Sequence, residues 1–246
     1  MQIIKPTVEL LSITPDAEKL IERAGRTCYK SEDKITDDSA EKFCKMIQTR
    51  NHVSVLEHAS ATFRIICDRG VSHELVRHRI AAYSQESTRY CNYSPNKKGI
   101  QFILPSWAPE DILGEYEVLR NDNGIGVASI NLRDDQQYIQ KYWTKDSDNK
   151  LSPFDTSEAQ LLMFLANVEL YYNQLIKLGQ TPQQARAVLP NCLKTEIVMT
   201  ANFREWLHFL ELRTSPQAHP DMRIIAGLIG AELAKQSPTI FEKYGL

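Results

Sequence analysis

The hydrophobic period of this chain switches between two and 3.6 in no repeating order, and that irregularity limits it to a mixed architecture. Thr62, Arg64 and Ile66 alternate with Phe63, Ile65 and Cys67, the pattern of a strand over 61–67 with one buried face. Residues 2–12 are β-branched and partly alternating, which predicts a further strand, and Gln101 to Leu104 and Leu193 to Thr200 predict two more. Helical spacing predicts helices from Pro15 to Arg23, Asp37 to Ile47, Val71 to Arg79, Glu158 to Leu178 and Pro220 to Lys235. Thr181-Pro182-Gln183-Gln184 puts a capping residue, a first-turn proline and a reciprocal Gln in order for another helix. Asn202 with Glu205 repeats the capping pattern ahead of a helix ending at Arg213. Strands and helices in this order predict an α+β fold, a small mixed or antiparallel sheet flanked by helices.

No repeat or linker interrupts the 246 residues, so a single domain over 1–246 is expected. Residues 109–155 read as a surface insertion, with turn-rich ends at Asn121-Asp122-Asn123-Gly124 and Asp146-Ser147-Asp148-Asn149. A formal net charge of −2 argues against nucleic acid as the main partner. No apolar run approaches the roughly 20 residues needed to span a bilayer, and the first residues lack a signal-peptide core, so no membrane and a cytoplasmic location are expected. Five cysteines, Cys28, Cys44, Cys67, Cys91 and Cys192, are scattered without a Cys-x-x-Cys pair, which suits reduced packing thiols.

The chemistry concentrates in residues 77–89, Arg-His-Arg-Ile-Ala-Ala-Tyr-Ser-Gln-Glu-Ser-Thr-Arg. Arginine forks, short hydroxyl donors and an imidazole together suit an anion such as phosphate or carboxylate. Leu75, Val76, Ile80, Ala81 and Ala82 interleave with the charges, so the segment must lie on a core while presenting its cations. On the helix from Asn202, Phe203, Trp206, Leu207 and Leu210 form a stripe that Arg213 continues. An arginine there needs an acceptor: a salt bridge to Glu211 or Asp221, water at the helix end, or a ligand. Arg204 and His208 are i and i+4 neighbours, and Arg186 sits among small residues that let a ligand approach. His73-Glu74 with His78 has i+5 spacing, about 140° around a helix, so the two histidines cannot share one ion, and no metal is expected. Neither dinucleotide-binding nor phosphate-loop glycine fingerprint occurs.

Arg77-His78-Arg79, seven residues and Ser87 resembles the signature of the flavin-dependent thymidylate synthases. Ala185-Arg186-Ala187-Val188-Leu189-Pro190, the Asn-x-Arg and Leu-Arg pattern from Asn202 to Arg213, and His52 to His58 extend the resemblance over most of residues 50–220. It implies a thymidylate synthase-complementing-protein-like fold and the reductive methylation of dUMP to dTMP, with 5,10-methylenetetrahydrofolate as carbon donor, FAD as redox cofactor, NADPH as reductant and no cysteine nucleophile. It also implies a homotetramer with sites shared between subunits. Carried over by position, Ser54, Arg77, His78, Arg79, Gln85, Asn202, Arg204 and His208 would contact FAD. Glu74, Leu75, Val76, Arg77, Gln85, Glu86, Ser87, Thr88, Arg89, Arg186 and Arg213 would surround dUMP, with Arg213 stabilising negative charge on the uracil ring. The chain departs from the family at Glu74, where Gln is common, at Gln85, where Glu is common, and at Gln217, where the family's His is displaced to His219. Two other readings use the same residues: a non-catalytic nucleotide- or RNA-binding protein stacking bases on Tyr83, Tyr90 and Tyr93, and a metal-dependent hydrolase built on His52, His58 and His78.

Overall fold

Pro6 cuts the expected strand over 2–12 in two, because proline has no N–H to give a ladder. The computed structural model describes residues 1–95, 97, 99–121, 124–130, 141–143 and 156–245. It opens with β1 (Gln2–Ile4) and β2 (Thr7–Ile13), which join different sheets. Helix α1 (Ala17–Thr27) begins later and runs further than its sequence pattern predicts, after a left-handed Asp16. Then come α2 (Ser39–Thr49), β3 (Ser60–Asp68), α3 (Arg69–Leu75) and β4 (Ala81–Gln85). Strands β5 (Gln101–Ile103), β6 (Gly114–Asn121), β7 (Gly124–Ile130) and β8 (Lys141–Trp143) precede α4 (Ser157–Lys177) and the short α5 (Pro182–Ala185). The chain closes with β9 (Lys194–Asn202), α6 (Phe203–Arg213), α7 (Pro220–Gln236) and α8 (Pro238–Phe241).

These elements gather into two compact units. The first comprises Met1–Pro6, Cys67–Gly70 and Glu86–Thr195. Its sheet has the order β5-β1-β6-β7-β8, parallel at β1 and β5 and antiparallel elsewhere. Ile3, Phe102, Ile112 and Tyr116 are buried in one cluster with Leu162, Ala166 and Tyr172 of α4. Part of the expected surface insertion therefore builds this sheet, and Ile112 and Tyr116 belong to its core. The predicted turn at 146–149, and Asp122 and Asn123 of the other, lie outside the described residues.

The second unit comprises Thr7–Ile66, Val71–Gln85 and Glu196–Leu246. Its sheet has the order β2-β3-β9-β4, antiparallel between β2 and β3 and between β4 and β9. The predicted alternation holds: Ala61, Phe63 and Ile65 are buried with Ile197, Met199 and Ala201. On the opposite face Thr62 hydrogen-bonds Thr200 at 2.9 Å and Arg64 pairs with Glu196 at 2.7 Å, as antiparallel sheets with one wetter face allow. Helix α6 lays Phe203, Trp206, Phe209 and Leu210 on the buried face. Trp206 meets Phe63 edge-on at 5.2 Å and donates its indole N–H to the Ala61 carbonyl at 3.1 Å, so its one polar atom is satisfied. Truncating it to Ala would cost about 3–5 kcal/mol. The α6 rod is thereby seated, and it carries Arg204, His208 and Arg213.

Candidate active site

Helix α3 stops at Leu75, so Arg77, His78 and Arg79 lie in the following turn, not on the helix predicted to Arg79. The reason is what satisfies the helix's last carbonyls. The single hydroxyl proton of Tyr83 on β4 is shared between the carbonyls of Leu75 and His78, each 2.7 Å from the oxygen. Arg213 donates Nη2–H to the Glu74 carbonyl at 3.2 Å. The Arg77 and His78 N–H groups also bond the Glu74 and Leu75 carbonyls at 3.2 and 3.1 Å, closing the helix in a tighter turn, so the expected 100° fan of three helical residues is replaced by that turn. His78 points inward while Arg77 and Arg79 are exposed, without an ion-pair partner among the described residues.

Arg213 finds its acceptors neither in Glu211 nor in Asp221. Its Nη1 pairs with Glu74 Oε2 at 2.6 Å, and its Nε–H donates to His78 Nε2 at 3.1 Å. Because Nε2 accepts, the imidazole proton belongs on Nδ1, which faces Glu205 Oε1 at 3.2 Å. Burial pushes the His78 pKa below its usual 6.5; hydrogen bonding to Glu205 opposes the shift and the Arg213 charge adds to it. A neutral, fixed imidazole thus holds a guanidinium whose side chain is 19% exposed. Glu205 was visible in the sequence only as part of a cap. Its N–H does bond Asn202 Oδ1 at 2.9 Å, while its carboxylate serves His78. Its position three residues before His208, on the same helical face, was the available signal.

His78, Glu205 and His208 offer three metal-ligating atoms within 4.8 Å of one another. Both nitrogens of His78 are engaged, one of them by the Arg213 cation, which opposes a second cation there. His208 lies 5.7 Å from His78 ring to ring, and Arg204 is paired with Glu57. Arg204 and His208 both border a cavity of about 430 Å³, and Arg204 with Ser54 also lines a larger one of about 980 Å³. Arg77, Arg79 and Arg204, the hydroxyl of Ser54 and the amide of Asn202 are donors of the kind that fit a dinucleotide's phosphates and ring edges, and of these Arg204 and Ser54 line the larger cavity. Gln85, at the end of β4, donates to Ser72 Oγ at 2.9 Å.

In the first unit, Arg186 Nη1 donates to Thr88 Oγ1 at 3.2 Å, bringing together two residues of the expected dUMP set. Arg89 donates Nε–H to Gln183 and lies over the Tyr90 ring at 5.5 Å, while Ser87 Oγ accepts from the Arg89 N–H at 3.3 Å. Glu86 is different: its carboxylate pairs with Lys194 at 2.8 Å and accepts from Tyr93 at 3.2 Å, with the two charged side chains 10% and 14% exposed. Such a pair is costly to break, and it pins the segment that presents Ser87 to Arg89. Sequence reasoning missed Lys194, which carried no local signal.

The rival readings lose their parts. Tyr83 is tied to two carbonyls and Tyr93 is buried against Glu86, leaving Tyr90 exposed as a stacking platform. His52 and His58 are exposed, and His78 has no nitrogen free for an ion. Burial lifts the thiols of Cys44 and Cys67 to about 12 and that of Cys192 to about 11, far from the thiolate a nucleophile needs at neutral pH. Among the described residues no helix is long and apolar enough to cross a membrane.

The architecture is shared with a nucleotide methylase. UMP/dUMP methylase PolB from Streptomyces cacaoi, bound with 5-Br dUMP, has a TM-score of 0.71 at 22% identity, covering 99% of this chain and 96% of that one. The family profile described as thymidylate synthase complementing protein matches residues 9–239. A flavin-dependent thymidylate synthase of Corynebacterium efficiens is 32% identical over 228 residues, covering 92% of this chain and 78% of the relative. One from Mycobacteroides abscessus is 32% identical over 247 residues, covering 99% and 86%. The chain belongs to the thymidylate synthase complementing protein family, the flavin-dependent thymidylate synthases.

Proposed function

We propose that this chain methylates dUMP reductively to dTMP, with FAD as cofactor, 5,10-methylenetetrahydrofolate as carbon donor and NADPH as reductant, as a cytoplasmic homotetramer. The observation that carries the reading is the Arg213 guanidinium, oriented by a neutral His78 on one side and Glu74 on the other. A cation fixed in this way can stabilise charge developing on a uracil ring without reorganising, which makes C5 nucleophilic with no protein thiolate. FAD, when bound, supplies the redox chemistry. Arg77, Arg79, Ser54, Asn202, Arg204 and His208 would hold it, and Ser87, Thr88, Arg89 and Arg186 would hold the nucleotide, Arg186 and Thr88 already sharing a hydrogen bond. Gln85 and the backbone of 74–77 and of Glu86 complete the substrate set. The test is direct: the purified protein, given micromolar FAD, should turn yellow and form dTMP from dUMP when folate and NADPH are present. A protein that binds no flavin, or binds it and forms no dTMP, overturns the reading.

A further inference from the structure

The 980 Å³ cavity of the second unit is lined by five lysines and arginines, Arg26, Lys34, Lys42, Arg50 and Arg204. One face of α2 lines it, where Ser39, Lys42, Phe43 and Met46 recur at helical spacing up to Arg50 at the helix end. Lys34, Arg26 and Arg204 complete its cations, and it reaches Ser54. No Asp or Glu lines it among the described residues, in a chain with 31 acids against 29 bases. Glu32 and Asp37, close in sequence, line a different cavity with Lys19 and Arg23. Arg26 is paired with Glu22 and Arg204 with Glu57, but Lys34, Lys42 and Arg50 have no ion-pair partner among the described residues. Like charges gathered around one cavity repel, and a bound anion relieves that repulsion.

The spacing says what kind of anion. Arg50 stands just over two turns beyond Lys42, about 12 Å along the helix, too far to share one phosphate. Two helix ends that reach the cavity, at Arg26–Cys28 and at Arg50–Asn51, are C-terminal and offer carbonyls, while α2 meets it at its other end through Ser39. At the C-terminal ends, where Arg26 and Arg50 stand, a compact pyrophosphate would lack the backbone N–H groups such ligands use. Dispersed side-chain cations in an open cavity match an extended chain with a carboxylate at each link. We infer that this cavity receives the γ-linked oligoglutamate tail of a folate, Lys34, Lys42 and Arg50 each meeting a different carboxylate. The inference rests on the proposed function, which makes a folate the carbon donor.

The experiment compares KM for monoglutamyl and pentaglutamyl 5,10-methylenetetrahydrofolate, at low and high salt, in the wild type and in the Lys42→Gln/Arg50→Gln double variant. Exposed cation–carboxylate pairs are individually weak, so three together should lower KM for the pentaglutamate on the order of tenfold to a hundredfold at low salt. The gap should shrink with salt and nearly vanish in the double variant, while monoglutamate KM, kcat and FAD affinity stay unchanged. Lys34→Gln alone should narrow it in part, which covers a double variant that fails to fold. Equal KM values for the two folates overturn the inference, and so does a double variant that loses FAD or NADPH affinity and keeps the tail preference. If the wild type makes no dTMP from the monoglutamate, the proposed function fails by itself. Calorimetry with penta-γ-glutamate peptide then decides the cavity: binding that the double variant loses supports an oligoglutamate site, and no binding to the wild type refutes it.

Discussion

Arg213 is held at Nε by His78 and at Nη1 by Glu74, a carboxylate 37% exposed at a position where the family often has Gln. Removing the guanidinium leaves Glu74 able to reach water but takes the donor from buried His78 Nε2, a cost of about 1–3 kcal/mol, whereas the preorganised charge of the proposed mechanism is not replaceable. Arg213→Ala should therefore lower kcat on the order of 10²- to 10³-fold with only a modest fall in Tm, read by steady-state kinetics and a thermal melt. A melt that collapses while the folded fraction keeps its rate would make Arg213 a structural ion pair. His78 adds a pH dependence. Its folded pKa lies below the usual 6.5, so the unfolded chain takes up a proton before the folded one does. The residue's stabilising contribution is complete above about pH 6.5 and is lost as pH falls through that value toward the lower folded pKa. Glu205 moderates the loss, and Arg213 and His208 increase it. Between about pH 7.5 and about 5.5 the urea midpoint should fall, and His78→Gln should flatten that fall.

At the scale of elements, α6 and α3 show how far local pattern reaches. The cap of α6 was readable, since Asn202 and Glu205 are three residues apart and their bond forms wherever the helix starts. Asn202→Ala should cost about 1 kcal/mol, seen as a lower urea midpoint without FAD, and should also weaken FAD binding if the amide contacts it. The end of α3 was not readable. Its periodicity continues to His78, but a tight backbone turn from residues 74 and 75 to 77 and 78, with Tyr83 and Arg213 sharing the same carbonyls, takes the Arg-His-Arg segment out of the helix. The alternation over 61–67 was correct because one sheet face packs on Trp206 and Phe209, while the strand over 2–12 failed at a proline whose effect on pairing the apolar pattern conceals.

For the whole molecule the prediction concerns assembly. Arg89 sits on the first unit against Gln183 and Tyr90, and Arg213 on the second against Glu74 and His78. If active sites are shared in a homotetramer, one site draws these arginines at least partly from different chains. Inactive Arg89→Ala and Arg213→Ala proteins, dissociated and reassembled together, should then regain a fraction of activity, since some mixed sites carry both arginines. Mixed tetramers that form and stay inactive would assign both arginines to one chain's contribution.

By itself the sequence determined what depends on neighbours within a turn or two: the strand over 61–67, the α6 cap, the long α4 and the family signature from Arg77 to Ser87. It also placed Arg213 on an apolar stripe and so required an acceptor for it. Which acceptor was a tertiary decision, because Glu74 lies 139 residues away and reaches Arg213 only through the fold. The same holds for Glu86, whose carboxylate is claimed by Lys194, 108 residues on, and for the cations of the large cavity, which α2 and the segment before it turn toward one space. Periodicity reports which face of an element is buried, but a charge is paired by whatever distant segment the packing brings within about 3 Å, and that distance is a property of the whole fold.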